Sequence, residues 1–341
     1  MPDMKLQVSR STRLSAISMT VLVLLILVMA CAPWWASRAD IRLLGEISLY
    51  IALASLWNLL AGYAGLVSVG QQAYVGLGGY AFFALTLLAG LHPLAALGLA
   101  PFIGALLAAP VAVLIFRLRG AYFAIGTWVV AEVFRLTAAQ ISALGGGSGI
   151  SLPVSVVNAV AEGRFLREAV AYWLALGVAV LVVGAVFLFL RSRRGVALMA
   201  IRDNELAARS LGIDIWMTKF TVYLVTAVLT TLTGALIFLQ KLRVSPDAAF
   251  SANDWTAFVI FIVVIGGVGT IEGPIIGTLI YFALRETLAD LGTIYLIALG
   301  AVAIVIMLKA PAGIWGLIRG SRGLELFPIS RRVRGLGGKP S

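Results

Sequence analysis

The chain has 341 residues, of which 61% are apolar and only 12% charged, and its formal net charge is +11. A soluble domain carries about 25% charged residues, and about 20 apolar residues make one bilayer crossing, so this composition excludes a soluble enzyme, a disordered chain and a single-span receptor with a large head. One cysteine, Cys31, and one histidine, His92, exclude internal disulfides and cysteine- or histidine-rich metal centres and leave little basis for a His-centred triad.

Apolar runs bounded by charges or by Gly/Pro clusters predict ten helices. They are Leu14–Ala32, Leu43–Leu60, Gly70–Ala89, Leu94–Phe116, Tyr122–Ala139, Ala169–Leu190, Phe220–Leu239, Trp255–Ile265, Pro274–Leu288 and Ile294–Leu308. Glycine interrupts the third and the eighth. The expected fold class is an all-α polytopic membrane protein with about ten transmembrane helices, some broken by Gly-rich segments. It divides into a tail at 1–13, a transmembrane domain at 14–318 and a basic tail at 319–341. The first run ends in Val28-Met29-Ala30-Cys31 and superficially resembles a lipoprotein signal. Its apolar stretch is longer than a typical signal core, and the expectation is an intact N-terminus.

Charge distribution sets the orientation. Lys5, Arg10 and Arg13 outnumber Asp3 in the first tail, and Arg117 and Arg119 stand alone in one turn. Residues 191–219 carry six basic and three acidic groups, and the tail from Lys309 carries seven basic and one acidic. The alternate loops cancel to zero or are acidic. Positive residues accumulate on cytoplasmic loops, so both termini are expected in the cytoplasm, with an even number of spans. The same loops account for the whole basic excess, which leaves nucleic acid no role as a partner and makes the lipid bilayer the expected one.

Two stretches are unusual for simple helices. GYAGLVSVGQQAYVGLGGY, residues 62–80, holds six glycines with Ser68, Gln71 and Gln72 in apolar surroundings. IGGVGTIEGPIIGTL, residues 265–279, sets Gly266, Gly267, Gly269, Gly273 and Pro274 around Glu272. Glycine and proline break helices, and non-helical backbone in lipid is tolerated only where protein buries it or where it lines a water-filled cavity. Ser68, Gln71, Gln72, Gly76, Gly267 and Gly269 are therefore the candidate translocation residues, with close helix packing as the competing explanation for each glycine. Asn58, late in the second run, is ambiguous in the same way. Glu132 and Arg135 are spaced for an ion pair on one helix face. Charges within the runs are otherwise nearly absent, which argues against a proton-driven transporter with a relay of carboxylates.

Residues 191–219 read RSRRGVALMAIRDNELAARSLGIDIWMTK. Asp203 is the expected N-cap of a short helix Asn204–Leu211, with Gly212 as a left-handed C-terminal cap and Asp214 capping the next helix. Ala207 and Ala208 would give the helix a small packing face, and Leu206 and Leu211 its apolar contacts. Such an element can dock in a partner's cleft or lie on anionic lipid.

This loop resembles the signature of permease subunits of branched-chain amino acid ABC importers. RRGVALMAIRDNELAARSLGID carries the likeness, with GYAGLVSVGQQAYVGLGGY, GGVGTIEGPIIGTL and the ending LKAPAGIWGLI, and it extends from about Asn58 to Ile318. Within that family the chain is more similar to the second permease type of the pair. The resemblance implies a homologous second permease subunit, two cytoplasmic ATP-binding subunits and a periplasmic solute-binding protein, in a bacterial inner membrane. It assigns ATPase coupling to the segment containing Arg202, Glu205, Ala207, Ala208 and Gly212, which departs from the general importer pattern in placing Leu206 between Glu205 and the alanines. The chain contains no G-x-x-x-x-G-K-[ST] loop, so ATP is expected in the partner subunits, with no cofactor and no catalytic residue here. The alternative is a self-sufficient secondary transporter or channel for a small polar solute; a membrane-embedded enzyme is a remote third.

Overall fold

The computed structural model describes residues 7–9, 13–161, 163–288, 294–310, 312–322, 327 and 332–334. Most of the tails at 1–13 and 319–341 lies outside the described residues. Helix α1 (Arg13–Ala30) leads through a short helix, Ala32–Trp35, into α2 (Arg38–Asn58). Ser37 and Asp40 form a reciprocal capping box at the start of α2. A π-helical turn, Leu59–Tyr63, ends it. Six non-helical residues, 65–70, precede α3 (Gln71–Leu87), which is followed by α4 (Pro93–Ile115), α5 (Ala121–Ala139) and α6 (Arg164–Arg191). Then come α7 (Arg193–Asp203), α8 (Glu205–Ser210) and α9 (Ile215–Lys241). A helical passage from Pro246 through the π turn Asn253–Ala257 continues as α10 (Phe258–Gly266). The chain ends with α11 (Glu272–Leu288), α12 (Ile294–Lys309) and α13 (Gly313–Arg322). Two short antiparallel pairs, Gln7–Ser9 with Arg332–Arg334 and Ile150–Ser151 with Arg243–Val244, are the sheet among the described residues.

Helices occupy the positions of all ten apolar runs, but among the described residues seven of them are long and apolar enough to cross a membrane. Of the three that fall short, α1 counts only as the apolar stretch Met19–Ala30 among the described residues, and the other two fall short for a physical reason. Helices α3 and α11 have 17 residues each, about 26 Å at 1.5 Å per residue, because residues 65–70 and 267–271 are used as non-helical backbone. The eighth run starts earlier than the expected Trp255, since Pro246–Gly266 forms one 21-residue passage that takes in Pro246 and the polar Asn253-Asp254 pair.

Helices α2, α3 and α9 form the centre. A side chain at Gly78 of α3 would stand 2.1 Å from the Thr231 carbonyl of α9, and one at Gly234 would stand 2.2 Å from the Val75 carbonyl. The two backbones thus meet glycine against helix in both directions, the small-residue contact that membrane helices use when lipid supplies no hydrophobic drive. Thr231 and Thr233 donate their hydroxyls to Ala227 O and Leu229 O, each at 2.8 Å, so their burial leaves no donor unmet. Apolar residues on the outer face of α5, among them Trp128, Val129 and Val133, are exposed, as expected of a surface that meets lipid or another membrane subunit.

Gly78→Ala or Gly234→Ala is expected to lower stability by about 1–3 kcal/mol through overpacking. Gly177→Ala in α6, where nothing lies within 4 Å, is expected to leave it unchanged or raise it. Thermal unfolding of the detergent-purified protein checks both.

Candidate functional site

Three pieces of chain that are remote in sequence meet at the end of the molecule where α6 and α9 are joined. The joining hairpin is built from local caps. Ser192 accepts from Gly195 N at 3.3 Å and starts α7, which buries Gly195, Leu198 and Ile201 along one face. The N-cap of α8 is Asn204, not Asp203: its side chain accepts from Ala207 N at 3.0 Å from an extended backbone. Asp203 instead closes α7 and pairs with Arg202 at 2.9 Å. The helix accordingly spans Glu205–Ser210, one residue shorter at each end than expected. Its C-terminus is a Schellman turn: Ile213 N donates to Ala208 O at 3.2 Å and Gly212 N to Arg209 O at 3.0 Å, with Gly212 at φ +78°. Asp214 accepts from Met217 N at 2.9 Å and opens α9. Lys219 then holds Glu205 at 2.9 Å, tying α8 to the second turn of α9.

The apolar residues of α8 face differently from the expectation. Ala208 alone is buried, at 1% exposure, whereas Leu206 and Leu211 are 77% and 78% exposed. Ala207 is exposed as well. Ala208 seats the helix on its own chain, and the two leucines point away from it.

Arg202 links this hairpin to the Gly-rich breaks. Its Nη1 donates to Gly62 O at 2.8 Å, inside the π turn that ends α2. At the same place Asn58 uses both ends of its carboxamide across the second break: Nδ2 donates to Thr270 O at 2.7 Å, and Oδ1 accepts from Gly269 N at 2.8 Å. A side chain on Gly62 would come within 2.4 Å of Asn58 Oδ1 and 2.6 Å of Gly269 N, so glycine is required there. Gly269 has φ +75° and Gly267 φ +129°. Thr270 bonds Gly267 O and receives Gly273 N, which closes the turn before α11.

The polar cluster at 68–72 sits deeper. Residues 65–70 run back along α2, where Trp57 Nε1 donates to Ser68 O at 2.8 Å and Gln71 Nε2 to Leu53 O at 2.9 Å. Gln72 bonds Thr256 of the π turn before α10. Ser68, Gln71 and Gln72 are all buried. Gly76 lies against the Phe250 ring, where a side chain would be 2.4 Å away, and so is a packing contact here. Gln71 borders a cavity of about 20 Å³ together with Tyr74, Tyr223, Thr226 and Thr230. Gln71 Oε1, Thr226 Oγ1 and Thr230 Oγ1 have no hydrogen-bond partner among the described residues. That volume suits about one water, which needs roughly 10–15 Å³, and is far too small for an amino acid. The structure therefore brings Ser68, Gln71 and Gln72 together, places Gly269 at the separate Asn58 junction, and sets Gly267 earlier in the same turn against Ala312 and Trp315.

Glu132 and Arg135 form the expected ion pair at 2.6 Å, and Arg135 also reaches Asp247 at 2.8 Å. Among the described residues no group of three or more His, Cys, Asp and Glu side chains is placed to hold a metal. The threonines of α9 and the Arg202 contact were missed by sequence reasoning. The only signal for the former was their i, i+4 spacing at Thr226 and Thr230.

A family model described as branched-chain amino acid transport system, permease component, matches residues 41–314. The chain belongs to this family. It is similar to the high-affinity branched-chain amino acid transport system permease protein LivM of Salmonella typhimurium, at 27% identity over 328 residues covering 89% of this chain and 77% of the relative. The Escherichia coli K12 protein of the same name is 28% identical over 333 residues with the same coverage. A probable branched-chain amino acid transport permease protein LivM of Methanocaldococcus jannaschii is 26% identical over 273 residues, covering 70% of this chain and 78% of that one. No solved structure matches. With its apolar helices, this permease is a multi-pass membrane protein.

Asn204→Ala is expected to cost about 1 kcal/mol of local helix stability and to raise amide hydrogen exchange across residues 205–211. Asp203→Ala should leave that exchange unchanged. Mass-spectrometric exchange on the purified permease separates the two caps.

Proposed function

We propose that this permease is one half of the membrane pathway of an ATP-driven importer for branched-chain or related amino acids. Its partners are a homologous second permease subunit, two cytoplasmic ATP-binding subunits and a periplasmic solute-binding protein, in a bacterial inner membrane. Ten crossings, two of them broken by the Gly-rich segments, place both termini and the hairpin 191–219 in the cytoplasm. Family membership supports the transport role. The observation that carries the coupling role is a capped helix, α8, that presents Leu206 and Leu211 outward while its base is hydrogen-bonded through Arg202 to the first break.

In this reading α8 docks in a cleft of an ATP-binding subunit, and the chain itself hydrolyses nothing. Arg202, Glu205, Ala207, Ala208 and Gly212 divide the work. Ala208 seats the helix, Gly212 ends it, Glu205 fixes it to Lys219, Ala207 leaves room for the partner, and Arg202 passes displacement to Gly62. Gly62 touches Gly269 and Asn58, so movement of α8 reaches both breaks at once. A nucleotide shifts such an equilibrium only through its differential affinity for two states, and the Arg202–Gly62 bond is the contact whose making and breaking distinguishes them. Ser68, Gln71 and Gln72 then line the path that is closed to one water's volume here, and Gly267 and Gly269 form its hinge.

The L206D/L211D double variant is expected to insert and fold but to lose co-purification with the ATP-binding subunits and at least tenfold of ATP-dependent uptake. Normal uptake by that variant, or uphill transport by the purified permease alone in vesicles, would overturn the proposal in favour of a self-sufficient transporter. Gln71→Leu is expected to impair uptake with assembly intact; full uptake would return Gln71 to packing.

A further inference from the structure

A second cavity, of about 700 Å³, opens at the other end of α6 and α9 from the α8 hairpin. It is bordered by the first turns of α6, the last turn of α9 and the start of α2. Its walls combine charge of both signs with apolar surface, which is unusual in a chain with so few charges.

Most of those charges are internally paired, and what remains unpaired defines a ligand. Glu168 Oε1 holds Arg42 at 2.6 Å and Arg164 at 3.5 Å, while its Oε2 is buried with no donor among the described residues. Glu46 is held by both terminal nitrogens of Arg285, at 2.8 and 3.0 Å, yet its side chain is 43% exposed. A carboxylate offers about four lone-pair sites, so Glu46 retains acceptor capacity toward the cavity. Among the described residues Arg167 meets the Asn158 amide oxygen, at 3.3 Å, and no carboxylate. Lys241 lies over the Trp255 ring, 4.6 Å from its centroid, with no carboxylate partner among the described residues. Leu49, Ile237 and Trp255 supply the apolar wall.

We infer that this cavity receives a zwitterionic α-amino acid with an aliphatic side chain. Its carboxylate is taken by Arg167 and Lys241, the two cations of the cavity with no carboxylate partner among the described residues. Its ammonium is taken by Glu46, with Glu168 adding negative charge beneath. Its side chain lies on Leu49, Ile237 and Trp255. The cavity has ample room for that ligand, as the small cavity at Gln71 does not. The choice of an amino acid over other zwitterions rests on the importer reading above; the charge pattern and the wall stand on their own. In that reading the cavity is on the outer side, where solute arrives.

The test is competition for labelled leucine on the full-length permease in phosphatidylglycerol nanodiscs, without companion subunits. Leucinamide, which lacks the carboxylate, and 4-methylpentanoate, which lacks the ammonium, are each expected to compete about tenfold or more weakly than unlabelled leucine, the scale of one lost charge-assisted hydrogen bond. Arg167→Gln or Lys241→Gln should weaken leucine binding and abolish discrimination against leucinamide while keeping that against 4-methylpentanoate. Glu46→Gln should do the reverse. Because Glu46 also holds Arg285, the two cation variants keep the test decisive if E46Q fails to fold. Equal competition by both analogues, or leucine binding indifferent to R167Q and K241Q, would overturn the inference. So would loss of leucine binding when phosphatidylethanolamine is the lipid, which would give the charges to a headgroup. ATP-driven uptake by the assembled transporter is scored separately. Uptake without leucine binding at this cavity would leave the importer reading standing and remove the site, and leucine binding without any ATP-driven uptake would do the opposite.

Discussion

One buried carboxamide organises the end of the molecule on which the coupling proposal rests. Asn58 is 1% exposed, and it spends a donor and an acceptor on backbone groups of the second Gly-rich turn, more than two hundred residues away. In an apolar environment each of those groups would otherwise be unmet, at about 1–3 kcal/mol apiece. The bond pair thus fixes the end of α2 against residues 269 and 270, and the crowding around Gly62 follows from it. Arg202 can reach a π-turn carbonyl because that carbonyl is held still.

The distribution of legible and illegible features follows their range. The caps of the 191–219 hairpin depend on neighbours three or four residues away, so Gly212 and Asp214 are readable from sequence. Asp203 and Asn204 are both competent caps, and the choice between them depends on where α7 stops, which its packing through Leu198 and Ile201 decides. Leu206 and Leu211 look like core residues by type, yet only the tertiary position of α8 determines that they face out. The bond from Arg202 to Gly62 spans 140 residues and leaves no local trace. Gly62 and Gly78 are glycines for the same reason, a backbone at van der Waals distance, although one belongs to a break and the other to a continuous helix; composition cannot separate them.

The sparse polar groups are used in two contrasting ways. Most hydroxyls within the helices bond the carbonyl one turn back, as in Thr86, Thr231 and Thr278, and so make no demand on their surroundings. Thr226 and Thr230 do not, and their unmet hydroxyls border the small cavity together with the unmet Gln71 Oε1. Charged groups are kept to the ends, where Glu46–Arg285 and Glu168–Arg42 surround the larger cavity. The interior thus offers weak, neutral hydrogen bonding and the larger cavity offers charge; under the inference drawn above, that order would let a zwitterion be captured without being trapped.

The mutual glycine contact between α3 and α9 also constrains how the protein is made. Leu87 and Lys241, the ends of those helices, leave the ribosome roughly ten to thirty seconds apart at ~5–20 residues per second. For that interval α3 waits in the membrane without its mate, its glycine face uncovered. A nascent chain stalled within that window exposes a groove of bare backbone, which is the kind of defect that membrane chaperones and proteases recognise.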